Sequence, residues 1–260
     1  MAYQFIQVSR EDHLTVITLD RPGVLNALHP PAHHELAAVI DEFAGDPQQW
    51  VAIVTGSGQR AFCVGNDLKY RAEHGRQSMP ASGFAGLTSR YDLDKPVIAA
   101  VNGLALGGGF ELALACDLVV ADENAQFGLP EVTVGAAALA GGLQRLPRQI
   151  GLQAAMGLAL TGRRMSAREA FALGCVNEVC SAGTVMEIAR RWAQQILQAA
   201  PLAVRAAKQV MLRSLFETDL RIAMAQQDDY PAVSNMRASE DYVEGPRAFA
   251  EGRAPQWRGR

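Results

Sequence analysis

The sequence lacks an excess of charge of either sign, and this limits the partners to be expected. Its 260 residues include 24 Lys and Arg against 27 Asp and Glu, a net charge of −3. Proteins that bind nucleic acids or anionic lipid surfaces generally carry a clear basic excess. We therefore expect no nucleic acid and no membrane as a partner. A polyanionic ligand would have to be held by local basic groups and backbone N–H groups.

Cysteine is scarce, and no metal-binding spacing is present. Three of the four cysteines lie in apolar segments, where a thiol packs as a small hydrophobic group. We expect them to be reduced, in a cytoplasmic protein with no metal. The five histidines have no partner at ligand spacing, so we interpret them as surface or helix-cap residues. These residues are Cys63, Cys116, Cys175 and Cys180, and His13, His29, His33, His34 and His74.

Long apolar runs are also missing, although 49% of the residues are hydrophobic. The most apolar region is interrupted by Asn102, Glu111 and Asp117, which argues against a membrane span. The N-terminus has no basic segment followed by an apolar run, so we expect no secretory signal. Length and composition favour one large α/β domain, or one domain with a helical appendage.

Residue patterns predict strands in the first part of the chain and helices in the last. A hairpin is expected over 5–8 and 14–19, a helix over 32–43, and buried strands over 51–55 and 97–101. The segment 70–89 is small and polar and is interpreted as a mobile loop beside a cleft. Further elements are expected at 143–150, 152–160, 166–174, 176–179, 185–200, 203–215, 219–227 and 240–249.

Two segments form an internal repeat, GSGQRAFCVGNDLK and VNGLALGGGFEL. Each follows a strand, contains glycine, and ends in Gly-x-Asp/Glu-Leu. We interpret them as one ββα turn built twice, so that two glycine turns face one cleft. Gly107, Gly108 and Gly109 precede a helix, where glycine allows close approach to a ligand and free N–H groups favour negative charge. The Lys-Ser/Thr of a phosphate loop is absent.

Two glutamates lie in otherwise apolar surroundings, Glu111 in the first turn of that helix and Glu131 twenty positions later. Such carboxylates are unusual unless they are paired or functional. Alternatively, Glu111 caps its helix and Glu131 lies on the surface. A serine-hydrolase site is not expected, because Ser57, Ser89 and Thr161 lack a nucleophile-elbow context.

The run VIAAVNGLALGGGFELALACDLVVADENAQFGLPE resembles the signature of the crotonase superfamily of enoyl-CoA hydratases and isomerases. The likeness extends from LDRPGVLNAL to FAEGRAPQWRGR. It implies an α/β fold in which a spiral of repeated ββα units, residues 1–200, is followed by a helical C-terminal trimerisation region, residues 201–260. It also implies a trimer or a dimer of trimers.

The resemblance further implies a cofactor-independent lyase of fatty acid metabolism that adds water to a 2-enoyl-CoA or removes it from a 3-hydroxyacyl-CoA. The backbone N–H groups of Asn66 and Gly108 would bind the thioester oxygen. Glu111 would mainly activate the water, and Glu131 would mainly exchange the α-proton. Acyl-CoA is then a substrate, and no cofactor is expected.

By the same resemblance, CoA would be bordered by parts of both glycine turns, by the first loop and by the tail. Three departures from the family pattern concern this binding. Gly23 and Gly252 replace usual basic residues, so phosphate binding would depend on Arg253, Lys69 and Arg21. The segment 133–146 lacks a usual proline, and Ala136 to Ala140 would make the acyl wall small and apolar. The implied residues are Val24, Leu25, Ala27, Leu28, Gly65, Asn66, Asp67, Leu68, Lys69, Gly107, Gly108, Phe249 and Arg253.

Other functions remain open at this point. A Δ3-to-Δ2 enoyl-CoA isomerase needs only one well-placed carboxylate, and one fold supports thioester hydrolysis or C–C chemistry as well. A non-catalytic oligomer or an RNA-binding relative is a further alternative, although the acidic balance and the intact glycine turns argue against both.

Overall fold

The computed structural model describes residues 3–75 and 77–260. Within them the chain forms a six-stranded sheet, a smaller four-stranded sheet and a helical C-terminal region. The strands are β1 Ile6–Glu11, β2 Leu14–Leu19, β3 Val51–Gly56, β4 Ala61–Cys63, β5 Val97–Val101, β6 Leu104–Leu106, β7 Leu118–Asp122, β8 Gln126–Gly128, β9 Arg164–Ser166 and β10 Glu178–Cys180.

The larger sheet has the strand order β1-β2-β3-β5-β7-β10. Strand β1 pairs antiparallel with β2, as the predicted hairpin requires, and the remaining pairs are parallel. Every residue of β3 and β5 is buried. Continuous apolar sequence is typical of parallel strands that are covered on both faces, and it made these two strands predictable.

The helices are α1 Pro30–Gly45, α2 Leu68–His74, α3 Gly108–Ala115, α4 Gly142–Ile150, α5 Leu152–Thr161, α6 Ala167–Leu173, α7 Val185–Leu197, α8 Pro201–Ser214, α9 Leu220–Gln226, α10 Pro231–Arg237 and α11 Glu240–Glu251. Helix α6 begins at the predicted cap, where Ser166 accepts a hydrogen bond from the Glu169 N–H. None of the helices in the described part of the chain combines the length and hydropathy needed to cross a bilayer.

The predicted repeat is present. Units β3-β4-α2 and β5-β6-α3 follow one another, and a third unit continues through β7, β8 and the 3-10 helix Pro130–Val134. The second strands of these units, β4, β6 and β8, form the smaller sheet together with β9, which pairs antiparallel with β8. Each of these strands has three residues, too few for a periodic pattern, and the sequence did not reveal them as separate strands.

Two predictions about the first half of the chain were wrong. The segment 70–89 is not a uniform mobile loop, because α2 extends to His74 and the apolar residues Phe84, Ala85 and Leu87 are buried. His33 is neither a surface nor a cap residue, because it lies inside α1 with 0% of its surface exposed, and His29 is also buried, at 6%. His29 does occupy the N-cap position of α1. Tertiary packing decided both cases.

Helix α1 is fixed to the sheet at its C-terminal end. Lys95 is buried just before β5, and its Nζ donates hydrogen bonds of 2.6 Å to the carbonyl oxygens of Phe43 and Asp46. A cation here satisfies carbonyl groups that have no partner within the helix. These bonds hold the C-terminal end of α1 beside the start of β5.

The C-terminal region is helical, as predicted, although α10 was not foreseen. Helices α8 and α10 pack around a small core of their own. This core contains Ala206, Tyr230, Ala232 and Val233. The division of the chain near residue 200 stays a prediction.

Candidate active site

The two predicted glycine turns meet in the structure. Gly65 follows β4 and has a φ of +93°, and Gly108 opens α3. A Cβ placed on Gly65 would lie 3.0 Å from the Gly108 nitrogen and 3.1 Å from the Leu106 oxygen. Only a residue without a side chain allows the two backbones to approach so closely.

The N–H groups of Asn66 and Gly108 are available at this junction. On either side of Asn66, the Leu28 N–H donates to the Gly65 oxygen at 2.8 Å and the Asp67 N–H donates to the Leu28 oxygen at 2.9 Å. These two bonds fix the peptide groups around Asn66. Within the described residues neither the Asn66 N–H nor the Gly108 N–H donates a hydrogen bond. Two unused donors on adjacent turns suit a developing oxyanion.

Each residue of the triple glycine is required for a different reason. Gly107 has a φ of +54°, and a Cβ on it would lie 3.0 Å from Glu131 Oε1. A Cβ on Gly108 would lie 2.5 Å from Cε2 of Phe84, and one on Gly109 would overlap the Cys63 carbonyl group. The positive φ angle thus requires glycine at Gly107, whereas the aromatic ring beside Gly108 requires glycine there.

Glu111 lies in the first turn of α3 and is 3% exposed. Its Oε1 accepts a hydrogen bond of 2.8 Å from the Gly142 N–H at the start of α4. Burial raises the pKa of the carboxyl to about 7, and the charge of Glu131 adds to the rise, while the Gly142 hydrogen bond opposes it. The interpretation of Glu111 as a simple helix cap is therefore wrong. A carboxyl that titrates near neutral pH is suited to acid–base catalysis.

Glu131 begins the third turn, in the 3-10 helix after β8, and is partly buried. Its Oε2 atom is buried and has no hydrogen-bond partner within the described residues. Burial also raises the pKa of this carboxyl. Glu131 is therefore not an ordinary surface residue, and its unpartnered oxygen is available to a ligand.

The loop before α1 is tied to the first glycine turn. Asn26 is buried, and its Nδ2 donates to the Ala61 oxygen at 2.8 Å while its Oδ1 accepts from the Arg21 N–H at 3.0 Å. Arg21 also contacts the Ala27 oxygen and pairs with Asp67 at 3.0 Å. The sequence analysis did not single out Asn26. A polar residue between the apolar residues Leu25 and Ala27 could have indicated that its side chain makes a specific hydrogen bond.

The residues predicted to border CoA differ in accessibility. Ala27 and Leu28 are buried, so they can present only backbone atoms. Side chains of Val24, Leu68 and Lys69 are exposed. The guanidinium of Arg21 is occupied by its pair with Asp67, whereas Lys69 makes no ion pair within the described residues. Lys69 is thus the more available cation for a phosphate group.

The tail residues lie apart from the turns in a single chain. The Phe249 side chain is 89% exposed. Arg253 pairs with Glu244 at 2.6 Å and with Glu251 at 2.5 Å. No hydrogen bond within the described residues joins either of them to the glycine turns. Their predicted contact with CoA stays a prediction.

The predicted acyl wall is only partly formed by one chain. Ala138 is buried, and Ala140 is partly buried. Ala136, Ala137 and Leu139 are exposed, with Leu139 at 77%. The small apolar character predicted for this wall applies to the two alanines that face the interior.

Comparison with known proteins decides the family. Residues 9–260 match the enoyl-CoA hydratase/isomerase family. The chain belongs to this family. The match covers the glycine turns, both glutamates and the helical tail, so the crotonase-type fold expected from the sequence is confirmed.

Several members of the enoyl-CoA hydratase/isomerase family align with this chain over nearly their whole length. Carnitinyl-CoA dehydratase from Proteus mirabilis is 44% identical over 97% of this chain and 100% of its own, and that from Salmonella typhi is 45% identical over 98% of both. Among solved structures, an enoyl-CoA hydratase from Mycobacterium marinum has a TM-score of 0.92 and 40% identity, covering 98% of this chain and 99% of its own. The enoyl-CoA hydratase from Bacillus anthracis has a TM-score of 0.91 and 37% identity, covering 99% and 100%.

Proposed function

We propose that this protein catalyses the reversible addition of water to a 2-enoyl-CoA through a thioester enolate. The observation that carries the proposal is the junction of the two glycine turns, where the unused N–H groups of Asn66 and Gly108 lie next to the turns that bear Glu111 and Glu131. A backbone donor pair and two carboxylates with raised pKa values are the groups that this reaction requires.

The N–H pair stabilises the charge that forms on the thioester oxygen. As water adds to Cβ, the electrons of the C=C bond move towards the carbonyl group and give an enolate. Both donors become stronger partners of the oxygen as its charge grows, which lowers the barrier more than it lowers the energy of the bound substrate. Removing one such donor typically raises a barrier by roughly 3 kcal/mol.

The carboxylates move the protons. In the reacting form of the pair, Glu111 is ionised and takes a proton from the water whose oxygen bonds to Cβ, while Glu131 holds the remaining proton and delivers it to Cα. Hydration leaves Glu111 protonated and Glu131 ionised, and one proton transfer between them restores the starting state. Because the two groups influence each other, their titration belongs to the pair. An isomerase would need a single carboxylate, so the presence of two carboxylates, one buried and one partly buried, favours hydration.

Acyl-CoA is the substrate in this proposal, and no further cofactor takes part. The first loop, with exposed Val24 and partly exposed Leu25, and the start of α2, with exposed Leu68 and Lys69, provide the border for the CoA moiety. The exposed tail residue Phe249 is available to complete it, from this chain or from a neighbouring copy, and Arg253 would join it by exchanging its ion pairs with Glu244 and Glu251 for a phosphate group. Such mixed borders of apolar groups and a few cations suit a ligand with an apolar arm and phosphates.

For the acyl group, we propose a substrate like that of carnitinyl-CoA dehydratase. The two named relatives of this activity are 44% and 45% identical to the chain, against 40% and 37% for the two enoyl-CoA hydratase structures. The segments FAGLTSRYDLDKPVIAAVNG and EGPRAFAEGRAPQWRGR also resemble that group of enzymes. This choice is independent of the general chemistry, since the same acid–base groups serve any 2-enoyl-CoA.

We further propose that the protein self-associates as a trimer or a dimer of trimers. Large apolar side chains of α8, α9 and the connection between them are exposed in one chain. Large apolar side chains left exposed in one region of a chain commonly mark an interface between copies. The exposed residues include Met211, Leu212, Leu215, Phe216, Leu220, Ile222 and Met224.

The test compares thioesters and variants. Hydration of crotonyl-CoA, dehydration of carnitinyl-CoA and isomerisation of a 3-enoyl-CoA are measured with the purified chain. Glu111→Gln and Glu131→Gln are each expected to lower kcat by roughly a hundredfold or more. Glu73→Gln makes the same change at an exposed position and should have no effect. Full activity of either site variant would remove that glutamate from the mechanism, and isomerisation without hydration would overturn the proposed reaction.

A further inference from the structure

Helix α1 carries a histidine that the reaction described above does not use. His33 has no exposed surface. Its Nδ1 accepts a hydrogen bond of 3.0 Å from the Ala85 N–H. Its ring also packs against the ring of Phe84, with 4.5 Å between centroids and 63° between planes. The imidazole thus contacts two successive residues of the segment that precedes β5.

This segment, residues 83–86, has an unusual backbone. Ala85 has φ 52° and ψ 23°, a left-handed conformation that residues with a side chain rarely adopt. Gly83 and Gly86 also have positive φ angles of 82° and 67°. Gly86 packs directly on the backbone of Ala37, one helical turn beyond His33. Such a conformation persists only where its surroundings hold it, and here α1 holds it at two points.

The segment matters because Phe84 is in contact with the candidate oxyanion hole. The Phe84 ring occupies the space next to Gly108, where an added Cβ would lie 2.5 Å from Cε2. Phe84 is buried, with 2% of its surface exposed. Its ring therefore lies between the His33 imidazole and the backbone that offers the Gly108 N–H.

The protonation state of the imidazole follows from its burial. Burial lowers the pKa of His33 to about 4, against an opposing effect of the nearby Asn66 side chain. The ring is therefore neutral at physiological pH. Because Nδ1 accepts a hydrogen bond, the ring hydrogen is on Nε2. This atom is buried, without a partner at hydrogen-bond distance within the described residues.

We propose that His33 is a positioning residue for the oxyanion hole, which holds the segment 83–86, and with it the Phe84 ring, against Gly108. His33 does not touch the reacting atoms. It sets the direction of the Gly108 N–H through Phe84, and this inference rests on the proposed function of that N–H as an oxyanion donor.

The test uses variants that separate the hydrogen bond from the volume of the ring. His33→Leu keeps an apolar side chain but removes the acceptor for the Ala85 N–H. His33→Asn restores an acceptor, because the amide oxygen of Asn occupies nearly the same place as Nδ1. His34→Leu is the matched control, one position along α1 at an exposed site.

We expect His33→Leu to lower kcat for hydration by about tenfold or more, since a misdirected oxyanion donor affects the chemical step. KM should change less than about threefold, because the CoA moiety binds elsewhere. His33→Asn should recover most of kcat, and His34→Leu should match the wild type. The inference is overturned if His33→Leu keeps kcat within about threefold of the wild type, or if KM rises as much as kcat falls.

A second measurement separates this inference from the proposed function. Amide hydrogen exchange of the full chain is followed in peptides that cover residues 83–86 and 107–110. His33→Leu should exchange faster there and unchanged elsewhere, and His33→Asn should restore the wild-type rate. If the wild type hydrates no thioester, the proposed function fails, and unchanged exchange in His33→Leu overturns the positioning role.

Should His33→Leu fail to fold, His33→Gln replaces it, because it remains polar but has no acceptor at the Nδ1 position.

Discussion

Replacing Glu111 by Gln is expected to stabilise the folded protein at pH 8 while it removes most of the hydration activity. The carboxyl is 3% exposed, and its pKa is raised from 4.5 to about 7, first by burial. A buried carboxylate is destabilising when it is ionised, whereas Gln has the same shape and no charge. Gln also keeps an oxygen that can accept the hydrogen bond from the Gly142 N–H.

The sign and size of this change in stability follow from the difference between the pKa values of Glu111 in the folded and unfolded states. Between pH 4.5 and pH 7 the folded state binds a proton that the unfolded state has lost, so stability falls as the pH rises through this window. The stabilising contribution of the protonated form is complete below the pKa of Glu111 in the unfolded state. It is lost as the pH rises above the pKa of Glu111 in the folded state. A shift of this size corresponds to about 3 kcal/mol, an upper limit because Glu111 and Glu131 titrate together.

The assay is thermal unfolding of Glu111→Gln and the wild type at pH 5 and pH 8. At pH 8 the variant should have a Tm higher by up to roughly 10 °C, and most of this difference should be absent at pH 5. Protein concentration is kept constant, because self-association alters Tm. Glu73→Gln controls for the loss of one surface charge. Equal shifts at both pH values, or no shift at pH 8, would refute the reasoning.

Three further predictions concern the same site and the tail. The kcat for hydration should fall as the pH drops below about 7, because Glu111 must be ionised to accept a proton, and a flat profile from pH 5.5 to 8.5 would contradict this role. Gly108→Ala should lower kcat by about a hundredfold, with little change in the Kd of a non-reactive acyl-CoA. Gly157→Ala, where an added Cβ meets nothing within 4 Å, is its control, and activity of Gly108→Ala within about threefold would remove this glycine from the oxyanion hole. Light scattering should show an oligomer at micromolar concentration, because Leu215 and Phe216 are 67% and 76% exposed in one chain, and a stable monomer would refute self-association.

Local sequence determined much of the fold and the central part of the site. Strands β3 and β5 were predictable because covered parallel strands need continuous apolar residues. The triple glycine and the repeated Gly-x-Asp/Glu-Leu ending identify both turns from the order of residues alone. Glu111 and Glu131 stand out because carboxylates rarely occur in apolar sequence without a role.

Tertiary structure decided what depends on residues distant in sequence. No local pattern distinguishes buried His33 from exposed His34, because the difference arises from Phe84 and Ala85, about 50 positions away. The requirement for glycine at position 108 likewise comes from the Phe84 ring.

The same limit applies to charges. From the sequence, Arg21 and Arg253 were expected to be available for phosphate binding. In the folded chain, Arg21 pairs with Asp67 and Arg253 pairs with Glu244. Periodicity and turn chemistry act over a few residues and can be read along the chain. Side-chain burial and pairing are set by contacts across the fold, and for this reason only the folded structure revealed which histidines are buried and which cations are already engaged.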